Sequence, residues 1–171
     1  MAGTSYGTSR RVGMYSIDTN IYLDWWVRRY PEDIFPTYRI QVEGLIVAGK
    51  WQAAERVQDE INHVGTHALK AWVKAQRSQF VKHDGSLIAE ANKITTSYPG
   101  LLDPYARHDE ADRYVIALAK IKRWTVVTHE TPARSKKNAL RTHFIPDVCR
   151  AIGVQCIDLL ELMRREKWSF K

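Results

Sequence analysis

The sequence predicts an α/β fold in which helices cover both faces of a mostly parallel sheet. Three observations carry that expectation. Short apolar strand candidates alternate with segments of helical period along the chain. The strongest strand signal, Trp124–Thr128 (WTVVT), is β-branched and apolar throughout, as a strand buried on both faces should be. The last two connections are long enough for the crossovers that parallel strands need.

The elements follow in order. Residues 1–12 are rich in Gly, Ser and Thr and contain no apolar segment, so they read as a flexible tail and not as a signal peptide. Met14–Ile17 is the first strand. Asp18-Thr19-Asn20 follows it, then an amphipathic run from Ile21 to about Arg29, with Pro31 and Pro36 punctuating the next turn. Thr37–Ala48 has helical apolar spacing at Ile40, Leu45 and Ala48, and Gly49 stops it. Trp51–Ala54 reads as a short strand and Glu55–Val64 as a helix broken by Gly65. His67–Gln76 and Leu87–Ser97 are two more helices, and Asp109–Lys122 is the strongest helix signal. After Trp124–Thr128 a loop runs to Phe144. Pro146 suits the first turn of a helix ending at Gly153. Val154–Ile157 is a last strand and Asp158–Arg165 a last helix, with Trp168-Ser169-Phe170 packing back on the body. With no internal repeat and no second core, residues 13–171 read as one domain around about four strands.

Composition bounds the function. The 171 residues carry 26 Lys and Arg against 19 Asp and Glu, a formal net charge of +7. That balance suits an anionic partner. Residues 131–143 (TPARSKKNALRTH) hold Arg134, Lys136, Lys137 and Arg141 and no acid, so they read either as a solvated loop or as a loop facing phosphate. At 44% hydrophobic and 26% charged residues the chain is not of disordered type. Two cysteines, Cys149 and Cys156, exclude a disulfide scaffold and lack zinc-ribbon spacing. So few cysteines make a reducing cytoplasm the expected home, and no apolar run approaches the ~20 residues that span a bilayer.

Four carboxylates fall where chemistry is expected. In open α/β sheets, sites form beyond the carboxyl ends of the strands. Asp18 directly follows the first strand, and Glu130 follows WTVVT after one residue. On the helix Glu55–Val64, Glu60 shares a face with Val57, Ile61 and Val64; on Asp109–Lys122, Asp112 shares one with Val115, Ile116 and Ala119. Inward acids need compensation, and a divalent cation such as Mg²⁺ or Mn²⁺ supplies it through oxygen ligands. Carboxylate cages of that kind hydrolyse phosphodiesters. Each acid also has a structural reading. Asp18 suits an N-cap, Asp109 and Asp112 a capping pair, Glu130 a loop, and Glu60 a pair with a nearby Arg.

These residues resemble a known family. Tyr15-Ser-Ile-Asp18-Thr-Asn20 resembles the opening of a PIN domain, and Val57-Gln-Asp-Glu60-Ile61 resembles its second acidic motif. Ala111-Asp112-Arg-Tyr-Val-Ile-Ala-Leu-Ala119 is similar to its third, and Val126-Val-Thr128-His-Glu130 to its last, with Glu where Asp is usual. Asp33-Ile-Phe-Pro36, Ile145-Pro-Asp-Val-Cys149, Gly153-Val-Gln-Cys-Ile157 and Lys167-Trp-Ser-Phe170 are similar to the PIN-like subgroup catalogued as domain of unknown function 4411. The resemblance implies a three-layer α/β/α fold and a metal-dependent endoribonuclease, commonly the toxin of a VapBC-type toxin–antitoxin pair. It implies that Asp18, Glu60, Asp112 and Glu130 hold Mg²⁺ or Mn²⁺, with Asn20 and Thr128 orienting them. RNA would be the substrate, gripped by Arg134, Lys136, Lys137 and Arg141; a homodimer and an antitoxin protein are the implied partners. Two other readings stay open: a non-catalytic RNA- or protein-binding module on the same fold, and a metal-dependent DNA nuclease or phosphatase.

Other residue pairs carry less. His63 and His67 are separated by Gly65 and make no HExxH pattern. His129 is expected to face solvent. Trp25 and Trp26 could stack on bases, and at least one of the adjacent pair is expected to face outward or onto a partner; core or dimer packing is the favoured reading.

Overall fold

A computed structural model describes residues 13–107, 109–137 and 141–170. The proposed tail, residues 1–12, lies outside them. Five strands form one sheet: Tyr15–Ile17 (β1), Trp51–Ala54 (β2), Phe80–Val81 (β3), Thr125–Val127 (β4) and Cys156–Ile157 (β5). Their order is β3-β2-β1-β4-β5, and every pairing is parallel. The expected α/β architecture, a parallel sheet flanked by helices, is therefore present, with one strand more than anticipated. Phe80–Val81 has only two residues, too few to show a period. β1 and β4 are buried along their whole length; in β1 this includes Ser16, whose hydroxyl donates to the Val115 carbonyl (2.8 Å).

Among the described residues eight α-helices accompany the strands: Thr19–Leu23 (α1), Pro36–Val47 (α2), Glu55–Val64 (α3), His67–Ala75 (α4), Gly85–Ser97 (α5), Asp112–Lys122 (α6), Ile145–Ile152 (α7) and Leu159–Arg165 (α8). α6 packs against β1, β2 and β4 and is the most buried of them, from Tyr114 to Ala119. It closes on Arg123, a non-glycine residue at φ 59°, in the left-handed conformation common after a helix end.

Several side chains sit differently from their expected places. Ile40 is exposed, because α2 buries Tyr38, Val42, Leu45 and Ile46, a stripe rotated away from it. Val64 is exposed as well: it ends α3, beyond the sheet that covers Val57 and Ile61. The α6 helix starts at Asp112, three residues later than expected. Asp109 is drawn instead to Arg113 (2.7 Å) and Arg56 (3.3 Å).

The adjacent tryptophans both turn onto the body. After α1 the chain widens into a π-helical turn, Asp24–Arg29. Trp25 is buried, with its ring 4.9 Å from Trp72 and 5.1 Å from Tyr38, and Trp26 lies 5.7 Å from Trp72. The C-terminal segment completes this cluster, with Trp168 5.6 Å from Tyr38 in an edge-to-face contact.

A buried polar chain fixes the aromatic core to the sheet. The Trp51 indole N–H donates to Tyr22 Oη (2.9 Å), whose own proton goes to Gln79 Oε1 (2.6 Å). Gln79 then donates to the Gln76 carbonyl (3.0 Å). All three side chains are buried, so removing the phenol oxygen strands two polar groups without water. Tyr22→Phe is expected to destabilise the fold by about 1–3 kcal/mol in urea unfolding; an unchanged midpoint would show that the chain is not a structural tie.

Candidate functional site

The strand order fixes where a site can form. From β1 the chain builds outward to β2 and β3 on one side, then returns to place β4 on the other. The order reverses between β1 and β4, and loops leaving that point in opposite directions open a crevice at the carboxyl ends. Asp18 is the first residue beyond β1, and Thr128, His129 and Glu130 lead out of β4.

Asp18, Glu60, Asp112 and Glu130 all line one cleft of about 400 Å³ at this crevice. They arrive from four elements: the end of β1, the middle of α3, the first turn of α6 and the loop after β4. Glu110 and Asp103, which sequence reasoning did not single out, line it too. Glu110 falls within the expected helix Asp109–Lys122 but off the face that Asp112 shares with Val115, Ile116 and Ala119; the helix in fact starts at Asp112, which leaves Glu110 in the preceding loop.

Each carboxylate is fixed in its own way. Thr128 Oγ1 donates to Asp18 Oδ2 (2.6 Å) and accepts from Asn20 Nδ2 (3.1 Å) and the Glu130 amide (3.0 Å). Asn20 Oδ1 in turn accepts the His129 amide (3.0 Å). Asn20 and Thr128 thus tie the loop after β1 to the loop after β4. Glu60 accepts the Thr19 hydroxyl and the Ala111 amide (2.8 Å), so it serves the start of α6 rather than pairing with an arginine. Asp112 and Glu130 are held by one guanidinium: Arg141 Nη1 donates to Asp112 Oδ2 (2.8 Å) and Nη2 to Glu130 Oε1 (2.9 Å). The other Glu130 oxygen accepts the Ile145 amide at the start of α7 (2.9 Å).

The crowding of like charges shows in the proton affinities. Burial, then the nearby Glu130 carboxylate, pushes Asp18 up to about 7 against the hydrogen bond from Thr128. Burial and the same Glu130 raise Asp112, against the opposing pull of Arg141. Burial also raises Glu110. For Arg141 burial disfavours the charge, but Asp112 and Glu130 outweigh it and the guanidinium is held charged more firmly than usual.

The four basic residues of the 131–143 stretch are divided. Arg134 and Lys137 are exposed, and Lys136 Nζ lies 3.4 Å from the Phe144 ring centroid. Arg141 is turned inward onto the acids, because three carboxylates within 3.5 Å outweigh hydration at the rim. His129, expected in solvent, is half-buried with Nε2 4.0 Å from Asp24 Oδ2, and burial lowers its proton affinity.

The acids around the cleft offer oxygen donors, the type that Mg²⁺ and Mn²⁺ prefer, and they outnumber the guanidinium of Arg141 that reaches them. In chemistry they fit a hard divalent ion. In their present arrangement, among the described residues, no three His, Cys, Asp or Glu side chains form a ligand set. Glu60 is spent on Thr19 and Ala111, and Asp112 and Glu130 on Arg141.

The sequence model of a family described as a domain of unknown function, DUF4411, matches residues 15–170. The chain belongs to the DUF4411 family. That match takes in every element from β1 to α8 and every acid that lines the cleft. Comparison with curated proteins gave no match. Among the described residues of this DUF4411 chain no helix is long and apolar enough to cross a membrane.

The Asp18 shift has a consequence for stability. The folded chain keeps the Asp18 proton up to about pH 7, whereas the ordinary value of the side chain is 3.8. Unfolding between those values releases a proton, so Asp18 contributes stability that is complete at low pH and lost as the pH rises through about 7. Asp18→Asn removes this dependence. Without divalent cations, its melting temperature relative to the wild-type chain is expected to climb by several degrees as the pH rises across that window. A difference that stays constant with pH would contradict the assignment.

Proposed function

We propose that this chain is a PIN-like, metal-dependent endoribonuclease that hydrolyses RNA phosphodiester bonds, acting in the cytoplasm as the toxin of a toxin–antitoxin pair. The observation that carries the reading is the meeting of Asp18, Glu60, Asp112 and Glu130, from four separate elements, in one cleft at the strand-order reversal. The resemblance of the same four motifs to those of PIN domains supports it.

Asp18, Glu60, Asp112 and Glu130 would hold Mg²⁺ or Mn²⁺. When bound, the ion supplies Lewis-acid polarisation of the phosphate and lowers the pKa of water. The chain's own residues do the rest. Thr128 holds Asp18 in one rotamer, and Asn20 holds Thr128 and the backbone at His129, so the β1 and β4 loops keep a fixed spacing. Glu60 couples α3 to the start of α6 and so sets the height of Asp112 in the cleft. Arg134, Lys136 and Lys137, on the loop that follows Glu130, offer positive charge to the RNA backbone. Exposed Ile34, Ile40 and Val47, at and before α2, offer apolar side chains to a second copy of the chain or to an antitoxin.

One observation favours a non-catalytic binding module instead: the acids already have internal partners, Arg141 above all. Incubation of the purified chain with single-stranded RNA and Mn²⁺ or Mg²⁺ separates the readings. Cleavage is expected, stopped by EDTA and abolished in Asp18→Asn and Asp112→Asn with the circular dichroism spectrum unchanged. Equal cleavage by both variants would overturn the carboxylate site, and cleavage of DNA alone would select the DNA nuclease reading. Thr128→Val, which leaves the four acids in place, is expected to lower cleavage by about 10–100-fold.

A further inference from the structure

Arg141 holds a position that its sequence context does not explain. It closes a stretch with four basic residues and no acid, where charge repulsion favours solvent for each, yet its side chain is only 16% exposed. Its guanidinium spends four contacts on the cleft wall: Asp112 Oδ2 (2.8 Å), Glu130 Oε1 (2.9 Å), the Leu101 carbonyl (2.9 Å) and, more loosely, Glu110 Oε1 (3.5 Å). The guanidinium carbon lies 4.6 Å from the Phe144 ring centroid. The flanking backbone is seated too. The His143 amide donates to the Gly100 carbonyl (3.2 Å), and Gly100 approaches so closely that a Cβ there would stand 1.8 Å from Thr142 Oγ1. Arg141 is therefore delivered to the acids by a fitted strap, not by a side chain that happens to fall inward.

We propose that Arg141 is the internal competitor for the divalent cation, and that a phosphodiester relieves the competition by drawing the guanidinium away. This rests on the metal-site reading above. A carboxylate oxygen that accepts a short guanidinium bond is not free for an ion beside the same positive charge. Arg141 takes one oxygen of each, Asp112 Oδ2 and Glu130 Oε1, and its positive charge repels a cation from both carboxylates, so they serve the cation fully only after Arg141 lets go. A phosphate is the other anion to which a planar guanidinium binds through paired hydrogen bonds. When RNA backbone takes the guanidinium, the two carboxylates are released to the ion, so metal and phosphodiester tighten each other's binding. The resting chain holds metal weakly, and the substrate completes the site.

The test is Mn²⁺ affinity of the full chain, read by the electron paramagnetic resonance of free Mn²⁺, in wild type and Arg141→Met. The variant is expected to bind Mn²⁺ about tenfold more tightly or better. Removing Arg141 leaves Asp112 and Glu130 unpaired, so the variant is expected to melt lower without metal and to gain more from Mn²⁺ than wild type. Dimethyl phosphate, an uncleaved phosphodiester, is expected to tighten Mn²⁺ binding by the wild-type chain and to leave that of the variant unchanged. Gly100→Ala, which loosens the strap without touching the acids, is expected to shift affinity in the same direction. Equal or weaker Mn²⁺ binding by Arg141→Met, or dimethyl phosphate acting alike or not at all on both chains, would overturn the competition and leave the metal site standing. No Mn²⁺ bound by either chain would overturn both.

Discussion

Carboxylates crowded at one end of a parallel sheet repel one another, and the structure around the cleft is organised to contain that repulsion. Asp18, Glu60, Glu110, Asp112 and Glu130 all face one cleft. In water such a group would stay apart; here strand order and helix packing force it together. The cost is met locally. Asp18 is driven toward its protonated form, Asp112 and Glu130 share a guanidinium, and Glu60 caps backbone that would otherwise lack a partner. Pairing buried charges in this way seldom adds net stability, but removing one partner is costly.

The same logic runs outward from the cleft. β1 and β4 lie side by side because the chain returns past β1 after completing β2 and β3. Their ends are tied by Thr128 and Asn20, which fix the distance between the Asp18 and Glu130 backbones. α6 packs beneath three strands and brings Asp112 in at its first turn, while the aromatic cluster around Trp25, Trp72 and Tyr38 sits behind α1 and anchors the other end of that segment. The Tyr22–Trp51–Gln79 chain gives this packing a defined register rather than bulk alone.

Much of this was legible in the sequence because it depends on period and position. The buried strand at Thr125–Val127, the inward phase of Val57 and Ile61, and the place of Asp18 at a strand end follow from local pattern. What was not legible depends on partners distant in the chain. Nothing near Arg141 says that it turns inward; the reason lies at residues 110, 112 and 130. Glu60 was placed correctly on its helix, but its partners, Thr19 and Ala111, belong to other elements. The inward turn of both Trp25 and Trp26 follows a π-helical widening that adjacent residues do not announce. Phe80–Val81 is a strand only because β2 is there to pair with it.

If the acid cluster is a cation site, Arg141 is its resident counter-charge. A crystal of the chain soaked in Mn²⁺ and dimethyl phosphate, with anomalous scattering recorded at the manganese edge, tests it most directly. The account requires an anomalous peak among Asp18, Glu60, Asp112 and Glu130, with Arg141 swung off Asp112 and Glu130 and onto the phosphate. Arg141 still bonded to both carboxylates, with no peak in the cleft, would contradict it.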